Sequence, residues 1–177
     1  IQRLETKGVR AVEDPGQAPL GSLVVIRAHG VGPGAYAACR ARGLIVVDAT
    51  CPYVKRIHRI VQQEAAAGRQ IVIAGAPDHP EVAGIRGWAG NDALVLQDAA
   101  QADALQMLET DVCLVAQTTL RNSVFEAVCG ALAPRCKSLK AVNTICSATA
   151  KRQAEAISLA KQCSRMLVIG GRNSSNT

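Results

Sequence analysis

Short apolar runs alternate with helical patterns along most of this chain, and this alternation limits the folds that it can adopt. One helical pattern spans 52–67, where Val54, Ile57 and Val61 share a face. Strands that alternate with helices predict an α/β fold built on parallel sheet. The seven runs with the character of strands lie at 23–27, 44–47, 71–74, 94–96, 112–116, 139–142 and 166–169.

The composition favours a core of aliphatic side chains. Hydrophobic residues make up 49% of the chain but aromatic residues only 2%, which suits a parallel sheet covered by helices. Since no stretch is long and apolar enough to cross a bilayer and no signal peptide opens the chain, we expect a soluble, cytoplasmic protein. Seven cysteines, an odd number, favour reduced thiols and a metal centre over a set of disulfides.

Positive charge is concentrated in the last third of the chain. The net charge is +6, and from Arg135 onward Glu155 is the one acidic residue. A basic segment can meet nucleic acid, an acidic partner or a phosphorylated ligand. Aromatic residues for base stacking are absent from it, so a solvated helix face around Lys151, Arg152 and Lys161 is the favoured interpretation.

Two cysteines occupy matching positions after predicted strands. Cys51 follows Asp48-Ala49-Thr50, Cys146 follows Asn143-Thr144-Ile145, and each precedes a helical pattern. A thiol at such a turn faces the positive end of a helix dipole, which stabilises the thiolate. Cys51 and Cys146 are therefore candidates for metal ligation or nucleophilic attack.

Other polar residues recur at the ends of the predicted strands. The carboxyl ends of parallel strands meet at one edge of a sheet, where ligands bind. Taken singly, each residue has an ordinary explanation as a turn residue, a core histidine or a helix cap. Their recurrence at successive strand ends favours a binding site instead. The residues are His29, His79, Glu81, Thr118, Thr119, Ser174, Ser175 and Asn176.

In chain order, these motifs resemble those of the LytB family of 4-hydroxy-3-methylbut-2-enyl diphosphate reductases, which complete the methylerythritol phosphate route to isoprenoids. A further segment, 87–91, resembles a clostridium-like branch of that family. The motifs are Arg-Ala-His29-Gly-Val-Gly, Asp-Ala-Thr-Cys51-Pro-Tyr-Val, Asp-His79-Pro-Glu81-Val-Ala-Gly, Gln-Thr118-Thr119-Leu, Asn-Thr-Ile-Cys146-Ser-Ala-Thr and Asn-Ser174-Ser175-Asn176.

The resemblance implies a three-lobed α/β architecture around a pseudo-threefold axis. On this pattern, 1–48 is the remainder of a first lobe, 49–142 a second lobe and 143–177 the start of a third. The family's first cluster cysteine lies in a Cys-Gly-Val type motif that this sequence lacks, as it lacks a further histidine and a later serine motif. We therefore expect an internal fragment that is inactive alone.

The resemblance also implies the chemistry. A [4Fe-4S] cluster would be held by three cysteines, of which Cys51 and Cys146 match two, the third being expected N-terminal to this chain. The reaction would remove the allylic hydroxyl of the substrate to give isopentenyl and dimethylallyl diphosphates, with ferredoxin or flavodoxin as electron donor. Glu81 matches the family's acid, and Thr118 is favoured over Thr119 as proton relay or positioning group.

Seven residues would bind the substrate by family position, while the remaining thiols and one histidine are assigned no role. We expect those thiols to be packing or surface residues, and His58 to lie on the polar side of its helix. The predicted substrate-binding residues are His29, His79, Thr118, Thr119, Ser174, Ser175 and Asn176. The thiols without a role are Cys39, Cys113, Cys129, Cys136 and Cys163.

Three other functions stay open at this point. The chain could be a non-catalytic α/β module that binds a phosphorylated ligand, whose affinity would not depend on Cys51 or Cys146. It could hold zinc through those two cysteines and a histidine, as a colourless protein. It could also bind nucleic acid through its basic end, with a strong dependence on salt, if a fused RNA-binding domain follows.

Overall fold

The structure is a computed structural model and describes residues 2–90 and 92–171. Short 3-10 helices lie at Pro15–Gln17 and Ala133–Arg135. The strands are β1 (Leu23–Ile26), β2 (Ile45–Asp48), β3 (Gln70–Ala74), β4 (Leu94–Leu96), β5 (Leu108–Ala116) and β6 (Cys136–Val142). The α-helices are α1 (Gln2–Glu5), α2 (Pro33–Ala41), α3 (Pro52–Ala66), α4 (Pro80–Trp88), α5 (Ala99–Asp103), α6 (Asn122–Leu132) and α7 (Ser147–Ala160).

The described strands form two sheets in which every pairing is parallel. β1 pairs with β2, and the other four strands are ordered β4-β3-β5-β6. Within the larger sheet, Val72 of β3 lies between Leu94 of β4 and Leu114 of β5. Strand and helix alternate along the chain, so the predicted α/β class with parallel sheet is confirmed.

Helices cover both faces of the larger sheet, so its central strands are apolar on both sides. Ile73 and Val115 belong to one buried cluster with residues of α3 and α4. Val72 and Leu114 belong to a second cluster with residues of α5 and α6. Successive residues of a strand point to opposite faces, which is why these near-continuous apolar runs fill two cores.

Proline fixes the start of three helices that follow strand ends. Pro33, Pro52 and Pro80 are the first residues of α2, α3 and α4. Proline suits this position because its ring sets the helical φ and the missing N–H would have no helical partner. As a result, the residues just before these prolines, including Cys51 and His79, are held at helix N-termini.

The strand predicted at 166–169 is not formed, and this prediction was wrong. Residues 165–171 have no regular secondary structure, and the side chains of Leu167 and Ile169 are 84% and 86% exposed. An apolar run becomes a strand only when a neighbouring strand pairs with it, and β6 pairs with β5 alone among the described strands. No helix of the described residues has the length and apolarity to cross a membrane.

The four-stranded sheet and the helices that cover it fall between residues 52 and 142. This range lies within the predicted second lobe. The division into lobes at 1–48, 49–142 and 143–177 nevertheless stays a prediction.

Candidate functional site

Several candidate residues lie on loops that leave the carboxyl ends of the strands. His29 follows β1, Cys51 follows β2, and Thr118 follows β5. Two backbone hydrogen bonds tie these loops together: the Cys51 N–H donates to the carbonyl of Ala28 at 3.0 Å, and the Cys146 N–H donates to that of Thr118 at 2.9 Å. Each cysteine turn is thereby joined to a loop that carries another candidate residue.

Cys51 and Cys146 occupy equivalent positions at the starts of α3 and α7. Each is the N-cap residue, neither side chain makes a capping hydrogen bond, and both thiols are free and half-buried. The Tyr53 hydroxyl lies 3.2 Å from Ser147 Oγ, so the first turns of the two helices are in contact. Both cysteines therefore lie at the positive N-terminal ends of helices, the position that the sequence predicts.

The turn before Cys51 is fixed by the carboxylate of Asp48. Asp48 accepts a hydrogen bond from the Thr50 N–H at 3.0 Å and lies 2.7 Å from Lys55 Nζ. Burial would raise the pKa of Asp48, but the bonds from Lys55 and Thr50 outweigh it and lower this pKa to about 2. The carboxylate is thus ionised at neutral pH and locks the turn onto the first helical turn of α3.

Cysteine side chains are suitable ligands for a metal centre, but Cys51 and Cys146 are only two. Thiolates are the ligands by which iron–sulfur clusters are held. Among the described residues, however, no group of three His, Cys, Asp or Glu side chains is placed to hold a metal ion. By their chemistry, Cys51 and Cys146 would therefore be only part of a cluster's ligand set, and within residues 2–90 and 92–171 no histidine joins them in a zinc site.

Glu81 and Thr118 form a buried pair. Glu81 Oε1 accepts a hydrogen bond from the Thr118 N–H at 2.6 Å, and Oε2 accepts one from the Thr118 hydroxyl at 2.7 Å. The two residues are 2% and 7% exposed. A carboxyl group and a hydroxyl in direct contact can pass a proton between them, which is what a general acid with a relay requires.

His29 and His79 form a second pair beside this carboxyl group. Their ring centroids lie 5.3 Å apart in an edge-to-face arrangement, and His79 Nδ1 accepts a hydrogen bond from the Glu81 N–H at 3.1 Å. Burial lowers the pKa of His79, with further lowering by His29 and Arg27 and an opposing effect of Glu81. A neutral His79 that accepts at Nδ1 carries its proton on Nε2, as a donor for an anion.

The neighbouring threonine has a different environment. Thr119 Oγ1 accepts a hydrogen bond from Gln117 Nε2 at 2.8 Å, and Gln117 Oε1 accepts one from the Ala76 N–H at 3.0 Å. Thr119 thus belongs to a bridge between the loops after β3 and β5, whereas Thr118 contacts Glu81. This difference supports the preference for Thr118 as the relay, and both roles stay predictions.

Sequence reasoning assigned no role to Gln117 or Thr144. The Thr144 hydroxyl accepts from the Ala116 N–H at 2.8 Å and donates to the Ala116 carbonyl, so it ties the Cys146 turn to the end of β5. No local sequence signal predicts these bridges, because Ala76 lies 41 positions from Gln117 and Ala116 lies 28 positions from Thr144.

His58 was predicted to lie on the surface, and this was wrong. It is 5% exposed and stacks on Trp88, with ring centroids 5.5 Å apart. Burial lowers the pKa of His58 to about 4, with a small opposing effect of Asp48. The sequence periodicity does indicate this burial. His58 follows Val54 by four residues and precedes Val61 by three, which places it on the apolar face of α3.

The remaining predicted residues fall into two groups. Ser174, Ser175 and Asn176 lie outside the described residues. The thiols without a predicted role occupy packing or surface positions: Cys39, Cys113 and Cys136 are buried, Cys129 is half-buried and Cys163 is exposed. Burial raises the pKa of Cys113 to about 11, which makes this thiol inert at neutral pH.

Comparisons with known proteins identify relatives along the whole chain. The sequence profile of the family described as LytB protein matches residues 1–177. The 4-hydroxy-3-methylbut-2-enyl diphosphate reductase of Caldanaerobacter subterraneus subsp. tengcongensis is 39% identical over 179 residues, covering 100% of this chain and 62% of that protein. The reductase of the same name from Anaeromyxobacter sp. (strain Fw109-5) is 40% identical over 177 residues, with the same two coverages.

Solved structures show the same relationship. The E-1-hydroxy-2-methyl-but-2-enyl-4-diphosphate reductase from Plasmodium falciparum aligns with a TM-score of 0.90 at 29% identity, covering 99% of this chain and 56% of that one. A second reductase, described as the terminal enzyme of the non-mevalonate pathway, aligns with a TM-score of 0.73 at 37% identity, with coverages of 99% and 63%. The chain thus spans about 62% of the length of the curated relatives cited above. It belongs to the LytB family.

Proposed function

We propose that this chain carries part of the active site of a 4-hydroxy-3-methylbut-2-enyl diphosphate reductase. The observation that carries the proposal is the buried contact of Glu81 with Thr118, whose loop is bonded to the Cys146 turn. A proton donor and a thiolate ligand are thereby held by one short segment. Reductive removal of a hydroxyl group needs both at one place.

Cys51 and Cys146 would hold two corners of a [4Fe-4S] cluster, with the third cysteine ligand expected outside this chain. When bound, such a cluster supplies electrons and an open iron site for an oxygen ligand. The free, half-buried thiols at two helix N-termini support this assignment.

The chain's own residues would supply protons. Removing an allylic hydroxyl as water breaks a C–O bond, forms a C–H bond, and consumes two electrons and two protons. Glu81 would give the proton that the departing hydroxyl takes up, and the Thr118 hydroxyl would relay it across the 2.7 Å contact. Burial of the pair keeps bulk water away from this transfer.

The diphosphate group would lie against His29 and His79. Two imidazoles 5.3 Å apart offer ring N–H donors to neighbouring phosphate oxygens. Thr119, Ser174, Ser175 and Asn176 are proposed as further substrate contacts on family position. The products would be isopentenyl and dimethylallyl diphosphates, the electron donor ferredoxin or flavodoxin, and the location cytoplasmic.

The test uses the protein encoded by the complete gene, reconstituted anaerobically and supplied with a low-potential chemical reductant. We expect substrate reduction by the wild type, and loss of both cluster and activity in Cys51→Ser and Cys146→Ser. Cys129→Ser is the matched control, since Cys129 is a half-buried thiol remote from the loops described. Full activity and iron content in both Ser variants would refute the proposal.

A non-catalytic phosphate-binding module is the second candidate. It is favoured by the two histidines, whose rings pack edge to face with centroids 5.3 Å apart and so place two imidazoles side by side for an anion. For this candidate, the affinity for the allylic diphosphate would be the same in the wild type, Cys51→Ser and Cys146→Ser. The reductase proposal predicts weaker binding in both variants, because the substrate's hydroxyl would lose its ligand site.

A further inference from the structure

The loop that carries His29 is held against the helix that carries His79. His79 is the N-cap of α4, and Trp88 is the last residue of that helix. Trp88 Nε1 donates a hydrogen bond to the carbonyl oxygen of Val31 at 2.9 Å. This bond joins the far end of α4 to a residue only two positions after His29.

Glycines permit this close approach. A Cβ atom added to Gly87 of α4 would lie 2.9 Å from the Cα of Gly32, and one added to Gly32 would lie 3.2 Å from the Cα of Gly87. The first distance is shorter than real Cβ contacts allow, and its partner is backbone. The loop can therefore lie this close to α4 only because both positions lack a side chain.

His58 of α3 supports the other side of the contact. Its ring stacks on the Trp88 indole at an interplanar angle of 22°, and a Cβ on Gly30 would lie 2.6 Å from His58 Cε1. Gly30 has φ +69°, a conformation that side chains disfavour. The histidine ring thus packs against both the indole and the residue directly after His29.

We propose that Trp88, supported by His58, is a positioning residue that fixes the His29 loop on α4 and thereby sets the spacing of His29 and His79 for one diphosphate group. The inference rests on the proposed function in taking a diphosphate as the ligand. Two donors on separate segments bind one anion best when their spacing is set before binding, because ordering a loop during binding lowers affinity. Trp88 acts through His29 and does not itself touch the ligand.

The test is titration calorimetry of the protein from the complete gene with inorganic diphosphate. Trp88→Phe keeps a ring to stack on His58 but removes the donor to Val31, so we expect binding about five- to tenfold weaker. In a double-mutant cycle, Trp88→Phe should have almost no further effect on diphosphate affinity once His29→Ala is present. A general loosening of the fold would give additive losses instead and would overturn the inference.

A second variant tests the same contact without altering the indole. Gly87→Ala must push the loop from α4, so we expect weaker diphosphate binding with α4 intact. Gly130→Ala is the matched control, a glycine within α6 whose added Cβ would meet nothing within 4 Å. If Trp88→Phe and Gly87→Ala both bind diphosphate with wild-type affinity, the positioning role of Trp88 is overturned but the proposed phosphate site is not. If the wild type binds no diphosphate, both are overturned.

Discussion

At the residue scale, the proposed chemistry centres on one buried carboxyl group. Glu81 uses both oxygens on Thr118, one for its backbone N–H and one for its hydroxyl. The backbone bond fixes where the carboxyl group lies, and the hydroxyl bond offers a path for a proton. Sequence motifs predicted that Glu81 and Thr118 act in one site, but not that they touch, because no local pattern records a contact between residues 37 positions apart.

Replacing the Thr118 hydroxyl tests the relay. Thr118→Val keeps the shape and the backbone bond, so we expect an intact fold and a turnover rate lower by about 10²- to 10⁴-fold. Thr119→Val removes the contact with Gln117 and the proposed substrate contact but leaves the Thr118–Glu81 bond in place, so it should cost less. The measurement is steady-state reduction of the allylic diphosphate at matched iron content, and a larger loss in Thr119→Val would reverse the assignment.

The lowered pKa of the buried His58 predicts that the free energy of unfolding depends on pH. Burial lowers its pKa in the folded chain to about 4, below the ordinary 6.5. Between these pH values the unfolded chain binds more protons, so the free energy of unfolding falls as the pH drops from about 6.5 to 4. His79 shifts in the same direction, while Asp48, with a pKa of about 2, loses its contribution at lower pH.

Urea denaturation of the chain at pH 7 and pH 4.5 checks this dependence. We expect a difference on the order of 2 kcal/mol, most of which disappears in His58→Leu. Leucine loses no hydrogen bond at Nε2, since this atom has no partner among the described residues. An unchanged pH dependence in the variant would assign the effect to other groups.

At the element scale, the parallel sheet positions the site. β3 and β5 are neighbours, so the loops that follow them bring His79 and Thr118 to one edge. The apolar runs predicted these central strands because buried parallel strands are continuously apolar. The run at 166–169 has the same composition and forms no strand, since pairing depends on a neighbour that composition cannot reveal.

Substituting one leucine in each run tests whether the apolar runs at 112–116 and 166–169 differ in packing. Leu114 of β5 is fully buried, whereas Leu167 is 84% exposed. We expect Leu114→Ala to lower the free energy of unfolding by about 2–5 kcal/mol, and Leu167→Ala to change it by less than about 0.5 kcal/mol. Chemical denaturation of the chain measures both, and equal effects would contradict the described packing.

At the scale of the whole molecule, the smaller sheet has an apolar exposed side. Leu23, Val25 and Ile45 of β1 and β2 are 57% to 61% exposed. A sheet of two strands is marginally stable without further packing. The proposed cluster site is likewise partial, because Cys51 and Cys146 would supply two thiolates where the family resemblance implies three.

The chain of 177 residues is therefore expected to hold no complete cluster by itself. After anaerobic reconstitution, we expect less iron and sulfide than one [4Fe-4S] cluster per chain, and no reduction of the allylic diphosphate. Iron and sulfide analysis with a turnover assay measures both. Reduction at the rate of the protein from the complete gene would contradict this expectation.

In the proposed active site, Glu81 would supply a proton beside a cluster held by Cys51 and Cys146. The most direct test compares product formation by the wild type and Glu81→Gln in the protein from the complete gene, at equal iron content. The glutamine oxygen can accept the bond from the Thr118 N–H and its NH2 group can donate to the Thr118 hydroxyl, but glutamine has no acidic proton, so we expect a rate lower by about 10²- to 10⁴-fold. A Glu81→Gln variant that forms isopentenyl and dimethylallyl diphosphates at the wild-type rate would show that Glu81 is not the proton donor.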